Sequence, residues 1–358
     1  MQQRQGPVSE QVCDRPVGAG ETSEVRYGRV EPRPCPDERE VEDPGTWRRW
    51  LRTEGPLPPL RVQGLDLTRD RDLLLARDDL GDLVVLGGRL DAEVETHLRR
   101  AGALVFPAAP HAPVDPYRAH LYTPQELYAG VEEHGYHRTP DARAYRWFAD
   151  ATLRHDAYVT ALRAIHDDAM TDALVAALEG RQVVGVMGGH ALRRGTEDFA
   201  AAALLGHRLA VSGAVVLTGG GPGAMEAANL GAWAGDEELL DRALRDLGQV
   251  PDFAPDIGAW ARPALALRED LLLAQSRHGL VVLPGAAGTV QEVFQMATRL
   301  YYEVDAEDGL TPLVLVGREH WTTRLPVWPL LGALATGRPM ARALHLVDTV
   351  EEAADLLG

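Results

Sequence analysis

The stretch Leu283-Pro284-Gly285-Ala286-Ala287-Gly288-Thr289-Val290-Gln291-Glu292 decides the fold, because the apolar run Gly279 to Leu283 feeds a small-residue turn that opens directly into a helix. Small residues let the backbone approach a ligand, while the first free N–H groups and the positive end of the helix dipole point out of the turn. That is an anion site, most often for phosphate, and Gly285, Ala286, Gly288 and Thr289 are its candidate residues. Thr289 can cap the helix or donate its hydroxyl to the anion. Glu292, three residues on, is expected in the first helical turn. The pair therefore reads either as a carboxylate beside a phosphate pocket or as a Thr-x-x-Glu capping box.

A second turn of the same kind lies upstream. Ala214 to Leu217 reads as a buried strand, Thr218-Gly219-Gly220-Gly221-Pro222-Gly223 as its turn, and Ala224-Met225-Glu226-Ala227-Ala228-Asn229 as the start of a helix. Two glycine-rich strand-to-helix turns imply one ligand held between them, with Gly219, Gly220, Gly221, Gly223, Met225 and Glu226 as candidate contacts. Val183 to Met187 reads as the first strand of this region and Gly188-Gly189-His190 as its turn, followed by a helix from Glu197 to Leu209 capped by Thr196. His190, Arg193 or Arg194 can reach a ligand phosphate; for His190 a solvated loop position is the other reading.

Gly219 to Asn229, taken with Pro284 to Glu292, resembles the LOG (Lonely Guy) family, long mislabelled as lysine decarboxylases, whose hallmarks are a GGGxxGxM-type turn and PGGxGTxxE. Its larger nucleotide 5′-monophosphate nucleosidases share the layout, with a region before the nucleotide-binding domain and a first turn reading Gly-Gly-His. The resemblance covers about Asp156 to the C-terminus. It implies a Rossmann-like parallel sheet with helices on both faces, no cofactor, and subunits paired through helices flanking the active site. It also implies hydrolysis of a nucleoside 5′-monophosphate to free base and ribose 5-phosphate, with the phosphate at Gly285 to Thr289 and the ribose under Gly219 to Gly223. In the family the glutamate closing the motif, here Glu292, is paired with an arginine fifteen residues before the motif proline. That position is Glu269 and its neighbour is Arg268. A one-residue offset turns a helical side chain by about 100°, so either the helix is rewound and Arg268 serves with Glu292 as the catalytic pair, or the pair is broken. The second glycine of PGG is Ala286, whose methyl would crowd the phosphate if the backbone needs a positive φ there. The function is accordingly hydrolysis, or binding alone in a nucleotide sensor or carrier. A dinucleotide oxidoreductase is set aside, since no G-x-G-x-x-G with an acidic residue at the end of the second strand is present.

The chain has 358 residues, with 36 Lys and Arg against 53 Asp and Glu, a formal charge of -17. That balance argues against nucleic acid or an anionic membrane as partner. A nucleotide needs only a local pocket. Cys13 and Cys35, the only cysteines, support neither a disulfide framework nor a metal site, and a reducing cytoplasm is the expected setting. No apolar run approaches the roughly 18 residues of a spanning helix, and no signal-peptide core is legible. Residues 1–43, rich in Gln, Glu, Pro, Arg and Gly, read as a disordered tail. Residues 44–138 read as a small α/β domain built on Leu83 to Leu86, a tight Gly87-Gly88 turn, a helix from Asp91 to Arg100 and Leu104 to Phe106. Residues 139–180 read as a helical connector, and 181–358 as the Rossmann-like nucleotide-binding domain. In the connector, His155, His166, Asp167 and Asp168 invite a metal; on a helix the two aspartates diverge, and a solvated polar face is the preferred reading. Between Asp236 and Leu265 no buried strand is legible, which leaves strand order and count open. Leu265 to Gln275 reads as helix, Pro312 to Val316 and Leu344 to Val347 as strands, and Thr349 with Glu352 as the cap of the last helix.

Overall fold

A computed structural model describes residues 39–153, 155–249, 269–303 and 309–358. Two all-parallel sheets organise them. The C-terminal sheet contains β5 (Val183–Met187), β6 (Val215–Leu217), β7 (Gly279–Val282), β8 (Leu313–Val316) and β9 (Leu344–Val347), in the order β6-β5-β7-β8-β9. Parallel strands need crossover helices, and these cover both faces, so the strands are near-continuous apolar runs rather than alternating ones. Val184, Val186, Val281, Val314 and Val316 face the helices Glu197–Val211, Ala224–Trp233 and Val350–Leu357. Val183, Met187, Leu280, Val282, Leu313 and Leu315 face Ala287–Tyr302 and Val327–Ala335. Each such side chain taken fully out of water contributes about 1.5–3 kcal/mol.

The strand order left open by the sequence is that of a doubly wound sheet, reversing between β5 and β7. Val184 to Met187 pair in register with Gly279 to Val282, so the two turns that leave β5 and β7 start side by side. Thr196 caps its helix by accepting from Phe199 N, and Thr349 accepts from Glu352 N (3.3 Å) while Glu352 returns to Asp348 N (2.8 Å). The helices Glu197–Val211 and Ala224–Trp233 touch backbone to backbone. A Cβ on Gly206 would lie 1.9 Å from Ala228 O, and one on Gly231 1.7 Å from Ala203 O.

The N-terminal sheet is β1 (Glu40–Val41), β2 (Arg61–Gln63), β3 (Val84–Leu86) and β4 (Leu104–Phe106), in that order. Here the side chains alternate. Val62, Val85 and Val105 join Trp47, Leu51, Val94 and Leu98 of the crossover helices, while Val84, Leu86 and Phe106 meet Tyr117, Leu162 and Ile165. The tail assigned to residues 1–43 ends too late: Glu40–Val41 pairs with Arg61–Val62 and Val41 is fully buried, because two residues suffice for an edge strand when the neighbour supplies the hydrogen bonds. Residues 1–38, with both cysteines, lie outside the described residues.

Of the polar face expected in the connector, His155 and Asp168 are exposed, and His166 is the exception. His166 is fully buried beside Tyr122 and Phe148, and Asp168 and Asp172 pair with Arg61 of β2. No helix among the described residues is long and apolar enough to cross a membrane.

Gly206→Ala is expected to lower the melting temperature, at a cost of about 1–3 kcal/mol from overpacking. Gly332 sits in an open stretch of the helix Val327–Ala335, with nothing within 4 Å of a built Cβ. Gly332→Ala should therefore stabilise by roughly 0.5–1 kcal/mol. Thermal melts of both variants would contradict the helix contact if Gly206→Ala melted no lower than wild type.

Candidate functional site

Three turns meet at the C-terminal edge of the second sheet. Gly188 and Gly189, after β5, sit in the middle. A Cβ on Gly188 would lie 2.7 Å from Ala224 Cβ and 2.9 Å from Leu283 Cβ, so only glycine lets both neighbours close in. Gly189 N donates to Pro284 O (3.0 Å) and Ala224 N donates to Gly189 O (3.2 Å), which ties the β5 turn to the β7 turn on one side and to the β6 turn on the other. Gly223, at φ +75°, would put a Cβ 2.5 Å from Gly189 O. The β6 turn is stiffened from within: Thr218 Oγ1 accepts from Gly220 N (3.1 Å) and Asn229 Nδ2 (2.8 Å), and the Met225 side chain lies over Gly219 and Gly221. Met225 therefore shapes the turn through contact with its backbone.

The helix after β7 starts at Ala287. Its N-cap is Ala286, which has no side chain to offer, and the first i→i−4 bond runs from Val290 N to Ala286 O (3.0 Å). The N–H groups of Ala287, Gly288 and Thr289 thus precede the intrahelical ladder and stand at the positive end of a helix of 16 residues. This corrects two expectations. Thr289 is the third residue of the helix and buried, so it is not the cap, and Glu292 lies in the second turn rather than the first. The cause is that the small residues Ala287 and Gly288 wind into the helix instead of staying in the turn. Thr289 packs its hydroxyl against the backbone of Gly285, where an added Cβ would meet it at 2.1 Å. Ala286 adopts φ -117°, a region open to any residue, so its methyl strains nothing.

Gly288 and Glu292 are four residues apart and share a helix face, and a Cβ built on Gly288 meets nothing within 4 Å. Five residues separate Ala287 from Glu292, roughly 7.5 Å along the axis. That resembles the span from a 5′-phosphate to its sugar ring. The Cα–Cβ bond of Glu292 tilts toward the helix N-terminus and so toward that open ground. Arg268 lies outside the described residues, which resume at Glu269 within the helix Glu269–Gln275.

Arg194 is held by a carboxylate of the neighbouring helix. Arg194 Nε donates to Glu226 Oε1 (2.8 Å), and the guanidinium is nearly buried, so this pair links the loop after β5 to the helix after β6. His190 and Arg193 are exposed. His320, which the sequence did not single out, donates from Nε2 to Gly285 O (3.1 Å). A lone histidine after a strand carries no sequence signal for that contact. A cavity of about 380 Å3 opens behind Leu283 and Pro284, on the face that carries Glu197–Val211, and Asp198, Asp348 and Glu351 line it. Its acidic lining repels phosphate. Among the described residues no three His, Cys, Asp or Glu side chains converge as a metal site.

Residues 181–238 match the model of the SLOG cluster4 family. Over 150 residues, 39% of this chain, the sequence is 28% identical to the pyrimidine/purine nucleotide 5′-monophosphate nucleosidase of Escherichia coli strain K12, and the E. coli O157:H7 protein matches to the same extent. The match spans 32% of the length of these relatives. Among solved structures, the molybdenum cofactor binding protein from Rippkaea orientalis aligns with 21% identity and a TM-score of 0.32, over 50% of this chain and 96% of that one. The molybdenum cofactor carrier protein from Chlamydomonas reinhardtii aligns with 20% identity and a TM-score of 0.29, over 49% and 96%. The family-model match and the nucleosidase match support the resemblance to the LOG family.

The turn geometry separates two neighbouring substitutions. Gly285→Ala must displace Thr289 and should weaken binding of inorganic phosphate about tenfold or more, whereas Ala286→Gly should stay within about twofold of wild type. Calorimetric titration checks both, and equal effects would contradict the turn as described.

Proposed function

We propose that the chain is a nucleoside 5′-monophosphate phosphoribohydrolase, which with one water yields free base and ribose 5-phosphate. The observation that carries this reading is the meeting of three glycine turns beside an uncapped helix N-terminus, with Glu292 one turn below it. The N–H groups of Ala287, Gly288 and Thr289 and the Thr289 hydroxyl hold the 5′-phosphate. The β6 turn, Gly219 to Gly223, closes over the ribose. The missing side chain of Gly288 leaves the sugar access to Glu292. As the N-glycosidic bond breaks, its electron pair leaves with the base and positive charge develops at the anomeric carbon. The Glu292 carboxylate stabilises that charge, and water then attacks the same carbon. Arg268 is the candidate group for the departing base. The nucleosidase match supports this substrate class, although it covers only part of the relatives.

The second reading, a nucleotide sensor or carrier without turnover, is favoured by one observation: Glu269 stands where the family has its arginine. The first reading also carries a homo-oligomer joined through the helix Ala287–Tyr302 and its surroundings, where Tyr302 and Leu330 are exposed. Light scattering at micromolar concentration should then report at least twice the chain mass of 38.9 kDa.

Incubation with a panel of nucleoside monophosphates tests hydrolysis directly through release of free base. Glu292→Gln preserves shape and removes charge, so turnover should fall about 10²-fold or more while nucleotide binding survives. Thr289→Val removes a hydroxyl from the phosphate site and should weaken binding by about 1–3 kcal/mol under either reading. Arg268→Ala should cost as much turnover as Glu292→Gln if the arginine is in register. A wild type that binds the nucleotides yet releases no base sinks the hydrolase reading in favour of the sensor.

A further inference from the structure

We propose that His320 is a positioning residue of the anion turn, fixing the Gly285–Ala286 peptide so that its N–H joins the donors that receive the phosphate. This rests on the reading of that turn given above. The β7 turn cannot fix itself. Its N-cap, Ala286, makes no side-chain cap, and Gly285, lacking a Cβ, leaves its backbone torsions loosely held. The clamp comes from the turn after β8. Gly317, at φ +92°, brings that turn so close that a Cβ there would stand 3.4 Å from Pro284 Cγ. A wide π-type turn, His320–Arg324, closed by Leu325 N donating to His320 O (2.8 Å), then aims the imidazole across the gap. Single π turns of this kind recur at functional sites.

The imidazole is itself held. Its ring stands edge-on to Trp321, with centroids 4.6 Å apart and planes at 84°. Trp321 is fully buried and its Nε1 donates to Val316 O (2.9 Å). The Gly285 carbonyl only accepts, so His320 Nε2 carries the proton between them. In a trans peptide the carbonyl and the N–H point to opposite sides, and no described peptide is cis. Holding Gly285 O toward His320 therefore turns the Ala286 N–H away from it. The same bond withdraws electron density from the peptide and strengthens that N–H as a donor. Without His320 the peptide plane is free to rotate, and a flipped carbonyl presents negative charge where the anion belongs.

The test uses the full chain, inorganic phosphate and adenosine 5′-monophosphate, with calorimetric titration and thermal melts of three variants. His320→Phe keeps the edge contact with Trp321 and removes the donor; His320→Ala removes both; His320→Gln restores an N–H donor. The expected result is a dissociation constant for phosphate raised about tenfold in His320→Phe and His320→Ala, largely recovered in His320→Gln, with the melting temperature of His320→Phe unchanged. In any turnover assay the KM should rise more than kcat falls. Wild-type affinity in His320→Phe overturns the proposal, as does an equal loss in all three variants, which would point to packing rather than the hydrogen bond. Failure of wild type to bind either probe instead overturns the anion reading of the turn itself.

Discussion

The site depends on a place where side chains are absent. At the crossing of the turns after β5, β6 and β7, Gly188, Gly189 and Gly223 let three backbones come within hydrogen-bonding distance. Interiors are packed as densely as organic crystals, so even one methyl group at such a crossing has nowhere to go. The turns cannot be positioned independently: Gly189 shares one bond with the Pro284 carbonyl and another with Ala224 N. Local glycine content thus becomes a property of the whole edge of the sheet.

Below the turns the same economy recurs. Gly206 and Gly231 press the two helices that follow β5 and β6 together, and this brings the β6 turn down onto the β5 turn. On the other side, the turn after β8 leans against Pro284 through Gly317 and reaches Gly285 through His320. The β7 turn is therefore held between neighbours on both flanks while the first N–H groups of its helix remain unsatisfied within the helix.

Much of this was legible because it follows local rules. The strands β5, β6, β7, β8 and β9 were visible as short apolar runs followed by glycine or by turn residues, and the caps at Thr196 and Thr349 as Ser/Thr signals before helices. Other features misled. Thr289 and Glu292 fit the spacing of a capping box, yet the helix begins two residues before Thr289, and that spacing alone does not fix where a helix starts. Glu40–Val41 looked like tail because a two-residue strand has no periodicity to detect. The pairing of Asp168 with Arg61 was hidden because the two are more than a hundred residues apart.

By itself the sequence determined that a Rossmann-like α/β unit would form and that glycine-rich turns would lie at the ends of its strands, because strand and helix periodicity and glycine placement are set by each residue and its near neighbours. Tertiary structure alone decided that β7 would pair with β5, that the β5 turn would be bonded to the turns on both sides of it, that Arg194 would be drawn to Glu226, and that His320 would reach Gly285. Those outcomes depend on which apolar faces bury one another across long stretches of chain, and burial is non-directional. It leaves in the order of residues no mark of the contacts it creates.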